Sequence, residues 1–122
     1  MVRGVGVDVV SIPRFRAALE RTPGMRRRVF TTDELRYVAA KVDPVPSLAA
    51  RFAAREAVMK AMELGLGAFG FHDVWVTVEP SGAPRLHVTG RAQELATARG
   101  ITTWYLSLTH DDPVAVAVVA AS

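Results

Sequence analysis

The sequence predicts an α+β fold in one compact domain, 1–122, with mainly antiparallel strands packed against a long central helix. Three observations carry that expectation. Residues 51–62 hold four alanines and two methionines with no Gly or Pro, the composition of an uninterrupted helix. The second half of the chain shifts to strand periodicity, with paired runs of β-branched and aromatic residues flanking turn-rich tips. No internal repeat or low-complexity tail interrupts the pattern.

Composition narrows the function classes. Half of the 122 residues are hydrophobic, enough for a core, and the wide use of Ala and Val leaves room for a buried oligomer interface. The chain has no cysteine, which excludes disulfides, thiolate zinc sites and cysteine nucleophiles. No apolar run approaches the roughly 20 residues of a membrane span, and the first residues do not form a signal peptide. The expectation is a cytoplasmic protein with no membrane partner. A formal charge of +3 favours acidic partners.

Taken in order, Gly4-Val5-Gly6-Val7-Asp8-Val9-Val10 reads as a mostly buried, valine-rich strand. Asp8 stands out, because a charge in such a strand is costly unless bonded to backbone amides, paired or metal-bound. The two glycines allow close backbone approach. Ser11 caps a helix over about 12–21, with Pro13 in its first turn and Ile12, Phe15 and Leu19 on one stripe. Arg14 and Arg21 fall together on its outer side, and Arg26-Arg27-Arg28 follows. Such a cluster is either a solvated surface or a docking face for an acidic partner. Without aromatic interleaving it does not point to nucleic acid.

Thr31 and Glu34 form a capping box for a second helix, about 32–41, which Asp43-Pro44-Val45-Pro46 then breaks. Ser47 caps the central helix, expected to run to about Leu64 and to end at Gly65 or Gly67. On it, Phe52, Met59 and Met62 can share an apolar face. Glu56 and Lys60 stand one turn apart, able to pair with each other or to act on one ligand, such as a magnesium-bound phosphate. Arg51 projects roughly 140° from Glu56 and roughly 180° from Lys60, so the three share no stripe. Strands follow at 73–78 and 85–89, a helix at 91–98, and strands at 102–109 and 114–120. His72 and His87 read as packing residues, while His110 lies at a strand end beside turn residues.

Four of these pieces, in order, resemble the small holo-[acyl-carrier-protein] synthases of the 4′-phosphopantetheinyl transferase family. Gly4 to Arg14 is similar to their G-x-G-x-D-x-x-x-x-x-R start, and Arg51 to Ala61 to their R-F-A-A-K-E-A-x-x-K-A signature. Gly82-Ala83-Pro84 matches a G-x-P turn, and Leu106 to Asp111 resembles the closing S-[IL]-[ST]-H segment. Arg55 departs from the usual lysine, and Glu63 stands where a glycine often closes the signature helix.

The resemblance implies the transferase fold and transfer of phosphopantetheine from coenzyme A to a serine of apo acyl carrier protein. The co-product is adenosine 3′,5′-bisphosphate, and the carrier serves fatty-acid or polyketide synthesis. It implies that Asp8 and Glu56 hold Mg²⁺ and that Lys60 contacts the same phosphate region. Arg51 and His110 are then candidates for other coenzyme A phosphates, and Gly82 to Pro84 for the adenine side. The sequence does not identify the base that takes the serine proton; Glu56 is a candidate, directly or, as a metal ligand of low basicity, preferably through a metal-bound water. Charge segregation, rather than the resemblance, suggests that Arg14, Arg21 and the Arg26 to Arg28 cluster steer an acidic carrier, with Arg14 alone also matching the family pattern. The resemblance also implies a homotrimer with sites between subunits. The alternative from another class is a non-catalytic coenzyme A or nucleotide-binding module.

Overall fold

A computed structural model describes all of residues 1–122. The chain runs through β1 (Gly4–Ser11), α1 (Ile12–Arg21), α2 (Met25–Val29), α3 (Thr32–Val38) and the long α4 (Val45–Ala61). A 3₁₀ turn at Phe71–Asp73 leads to the hairpin of β2 (Val74–Val78) and β3 (Pro84–Val88). Then come α5 (Gly90–Ala98) and the hairpin of β4 (Trp104–Asp111) and β5 (Val114–Ala121). All pairings are antiparallel: one sheet in the order β1-β5-β4, the other β2-β3. The α+β expectation holds, and both expected hairpins form.

The fold turns on how closely α4 lies against the three-stranded sheet. A Cβ at Gly4 would stand 2.0 Å from the Ala61 carbonyl oxygen, and one at Gly6 would stand 1.9 Å from that of Ala57. Only glycine lets β1 approach the helix backbone this closely. Ala53, Ala54 and Ala57 of α4 are fully buried in one core with Ala117, Val119 and Ala121 of β5. A second core gathers Ile12, Phe15, Val29, Phe30 and Leu48 under α1 and α2. Strand alternation puts Asp8 on the same side of β1 as the two glycines, facing α4.

Several expectations give way. β1 is buried on one face only: Val5, Val7 and Val9 are 62%, 52% and 60% exposed. They stand opposite Ala120, Val118 and Val116 of β5, so the outer face of the sheet is an apolar stripe. A run of valines does not distinguish one buried face from two. Asp43 to Pro46 opens α4 rather than breaking the chain between helices. Pro44 is the cap, Pro46 sits in the first turn, and Ser47 is buried instead of capping.

At its other end α4 stops at Ala61, short of Leu64. The Leu64 amide donates to the Met59 carbonyl and the Glu63 amide to that of Lys60, with Glu63 at φ 59°. That is a Schellman turn, with Glu63 in the left-handed position that glycine usually fills. Gly65 and Gly67 are not needed to end the helix. Phe52 leaves Met59 and Met62, packing instead against Phe15 and Phe71 at centroid distances of 5.3 and 6.2 Å. Arg26 to Arg28 form the short α2, which the sequence reading left unassigned, and α3 ends at Val38 instead of 41. β4 extends to Asp111, so His110 lies within the strand opposite Ala115. The Ser11 cap and the Thr31–Glu34 capping box form as expected.

Candidate active site

α4 carries two groups of functional side chains on opposite flanks. On the β1 side, Lys60 Nζ donates to Asp8 Oδ1 at 2.9 Å and to the Val7 carbonyl at 3.2 Å. Lys60 therefore pairs with Asp8 and not with Glu56, which forms no ion pair. The hydrogen bond to Asp8 holds the Lys60 ammonium above its ordinary pKa. Partial burial, helped by the charge of Asp8 and opposed by Lys60, raises the Glu56 carboxyl above the usual carboxylate range.

This donor set fits a hard divalent cation. Two carboxylates from different elements, Asp8 and Glu56, feel each other's charge, and carboxylate oxygens are the ligands such an ion takes. No third His, Cys, Asp or Glu joins them, so other ligands of such an ion come from water and substrate oxygens.

On the β4 side lies a cavity of about 230 Å³ lined by Tyr37, Lys41, Arg51, Gly82, Pro84 and His110 among others, with no carboxylate. Arg51 forms its floor and is only 4% exposed. Its Nη1 donates to the Ser47 carbonyl at 3.3 Å, and its buried Nε has no partner. Burial lowers its pKa, so the charge is held at a desolvation cost without a paired anion. Gly82, at φ 91°, has open space around it, leaving its turn free to border a ligand. An anionic group entering this cavity meets Arg51, Lys41 and the His110 ring.

The two groups flank one helix. Asp8 aligns with Ala117 of β5, which aligns with Leu108 of β4, two residues before His110. Both side chains are thus on the sheet face that α4 covers, at its two edges, with β5 and the helix between them. The structure brings Asp8, Glu56 and Lys60 together, and separately Arg51, Gly82, Pro84 and His110.

Arg55 belongs to neither group. It is fully buried, with Nη1 and Nη2 on Glu34 and Nε donating to the Phe71 carbonyl at 2.8 Å. Glu34 also accepts from the Val76 and Thr31 amides. The planar five-donor guanidinium meets all of these at once, so the departure from lysine is an internal one. Sequence reasoning gave Glu34 only its capping role. It also missed Tyr37 and Lys41; the signal was an aromatic and a cation four residues apart at the end of α3.

Arg14 and Arg21 are exposed on α1 and Arg26 to Arg28 on α2, none of them in an ion pair. Arg16, by contrast, is paired with Asp43 at 2.6 Å. His72 bonds to the Arg27 carbonyl and His87 stacks on Trp75 at 5.1 Å, so both are packing residues. No helix is long and apolar enough to cross a membrane.

Comparison with known proteins bears on this arrangement. The family model described as the 4′-phosphopantetheinyl transferase superfamily matches residues 4–119. A holo-[acyl-carrier-protein] synthase of Micrococcus luteus is 51% identical over 123 residues, covering 99% of this chain and 92% of its own. The crystal structure of holo-[acyl-carrier-protein] synthase from Neisseria meningitidis superposes with a TM-score of 0.90 at 29% identity, covering 100% of this chain and 99% of that one. The Helicobacter pylori enzyme in complex with coenzyme A gives 0.84 at 29% identity, over 97% and 99% of the two chains.

Proposed function

The chain belongs to the 4′-phosphopantetheinyl transferase superfamily, and from that membership we propose that it is a holo-[acyl-carrier-protein] synthase. It transfers the 4′-phosphopantetheine group of coenzyme A to a serine hydroxyl of apo acyl carrier protein and releases adenosine 3′,5′-bisphosphate. The observation that carries this reading is the pairing of a carboxylate site, Asp8 and Glu56 with Lys60, with a separate cationic cavity floored by Arg51. Coenzyme A has two phosphate regions, a pyrophosphate and a 3′-phosphate, and in this proposal each group takes one.

Asp8 and Glu56 hold Mg²⁺ in this proposal. When bound, the ion offsets the charge of the pyrophosphate and of the departing phosphate. Lys60, already positively charged beside Asp8, contacts the same oxygens. The serine oxygen forms its bond to the phosphorus of the phosphopantetheine arm as the pyrophosphate bridge breaks. Glu56 takes the serine proton, preferably through a water, since a carboxylate that holds a cation is a weak base in its own right. Arg51 and His110 hold the 3′-phosphate, and Gly82 to Pro84 border the adenine.

Within one chain, α4 and β5 stand between the two flanks. A homotrimer that sets the β4 flank of one subunit beside the β1 flank of the next brings them together. The exposed stripe of Val5, Val7, Val9 and Val118 supplies apolar surface for that contact. The carrier approaches along Arg14 and Arg21, and its pathway is fatty-acid or polyketide synthesis in the cytoplasm.

The test is the intact mass of a carrier protein after incubation with this protein, coenzyme A and Mg²⁺. Gain of one phosphopantetheine supports the proposal. An unchanged mass across fatty-acid and polyketide carriers rejects it.

A further inference from the structure

We propose that Tyr37 is a positioning residue for the anion-binding cavity, its ring holding Arg51 and Lys41 as a two-cation clamp. The inference rests on the reading of that cavity as the 3′-phosphate site. The Arg51 guanidinium carbon lies 5.0 Å from the Tyr37 ring centroid and the Lys41 ammonium lies 5.4 Å from it. Both are within range for a cation over an aromatic face. Tyr37 is 46% exposed, and the two cations are the groups it faces.

The clamp solves an electrostatic problem. Arg51 is buried, its Nε has no partner, and no carboxylate lines the cavity to balance the charge. The Glu34 carboxylate, already paired with Arg55, acts on Arg51 from outside the cavity, and within the cavity the electron-rich Tyr37 ring is the group that faces the guanidinium. Lys41 stands one turn from Tyr37 along the chain and repels Arg51, so the ring also lets two like charges share one mouth. Glu34 anchors the helix that carries the ring. It lies one turn before Tyr37 on α3, and its buried pair with Arg55 ties α3 to α4, one turn along from Arg51. The ring therefore holds a preset distance from the guanidinium, and an entering phosphomonoester finds its cations already in place.

The experiment compares Tyr37→Leu and Tyr37→Phe with the parent protein, using calorimetric binding of adenosine 3′,5′-bisphosphate and transfer kinetics with coenzyme A and 3′-dephospho-coenzyme A. Tyr37→Leu is expected to weaken bisphosphate binding by about three- to tenfold, the range of an exposed to partly desolvated cation–ring contact. It raises KM for coenzyme A more than it lowers kcat, and it loses less on the dephospho substrate. Tyr37→Phe, which keeps the ring face, binds like the parent. Binding by Tyr37→Leu within twofold of the parent overturns the inference alone, as does an equal loss in Tyr37→Phe or an equal loss on both substrates. A parent protein that binds no bisphosphate overturns the cavity assignment, and this inference with it. Thermal unfolding of the exposed-site variants separates loss of binding from loss of fold.

Discussion

Lys60 Nζ donates to Asp8 Oδ1 across 2.9 Å, joining residues 52 positions apart and leaving Glu56 between two opposite charges without a pair of its own. Partial burial, with the Asp8 charge added to it, makes ionised Glu56 uncomfortable. Its folded pKa is raised, so above that pKa its charge lowers stability, and stability recovers as pH falls through it.

Glu56→Gln is therefore expected to raise the melting temperature of the metal-free protein at neutral pH and to remove that pH dependence. Loss of a metal ligand and proton acceptor lowers kcat/KM by at least about 10²-fold. Mg²⁺ should raise the melting temperature of the parent and not of the variant. A variant less stable than the metal-free parent at neutral pH contradicts the electrostatic account of Glu56.

Gly6→Ala tests the contact that places Asp8. Its Cβ would meet the Ala57 carbonyl oxygen at 1.9 Å, so strand and helix must separate. Chemical denaturation should show a loss of about 3 kcal/mol, at the upper end of overpacking costs. Activity falls further than stability explains, because Asp8 moves away from Glu56. An Ala variant of parental stability would remove the close-approach argument.

Glu63→Gly should stabilise the protein by about 1 kcal/mol, the left-handed penalty of a residue with a Cβ less the added freedom of glycine in the unfolded chain. Glu63 is exposed and outside both groups of site residues, so only its φ of 59° is at issue. A destabilised variant means that the carboxylate contributes something the backbone does not reveal.

Charge reversal at Arg14 and Arg21 together should raise KM for the carrier protein and flatten its dependence on salt, with KM for coenzyme A unaffected. Arg16→Glu, which breaks the pair with Asp43, offers no such contrast between substrates. Unchanged carrier kinetics in the double variant would move the docking face elsewhere.

Much of this was legible in the chain. Local chemistry fixes local structure at Ser11 and at the Thr31–Glu34 box, and strand alternation puts Asp8 in line with Gly4 and Gly6. The roughly 140° between Arg51 and Glu56 follows from helical geometry alone, and it foreshadows the two separate flanks. What the sequence hid depends on tertiary neighbours. The outward face of β1 carries three valines and reads as core, although it is the inward face of Gly4, Gly6 and Asp8 that meets the helix. The partner of Lys60 could not be chosen between Glu56 and Asp8 until the glycines brought the strand against the helix. Arg55 stands in the sequence only as a departure from lysine, and its burial depends on Glu34, on a different helix, neutralising it. Pro44 and Pro46 look like a break, and only their positions at the helix start make them compatible with one.

The claim on which the site depends is that one coenzyme A reaches from Arg51 of one subunit to Asp8 and Glu56 of another. Mixing two inactive variants, Arg51→Ala and Glu56→Gln, after brief dissociation and reassembly tests it most directly, with carrier mass as the readout. The account predicts that transfer returns in the mixture, since some interfaces then combine an intact Arg51 with an intact Glu56. Reassembled mixtures as inactive as either variant alone would contradict it.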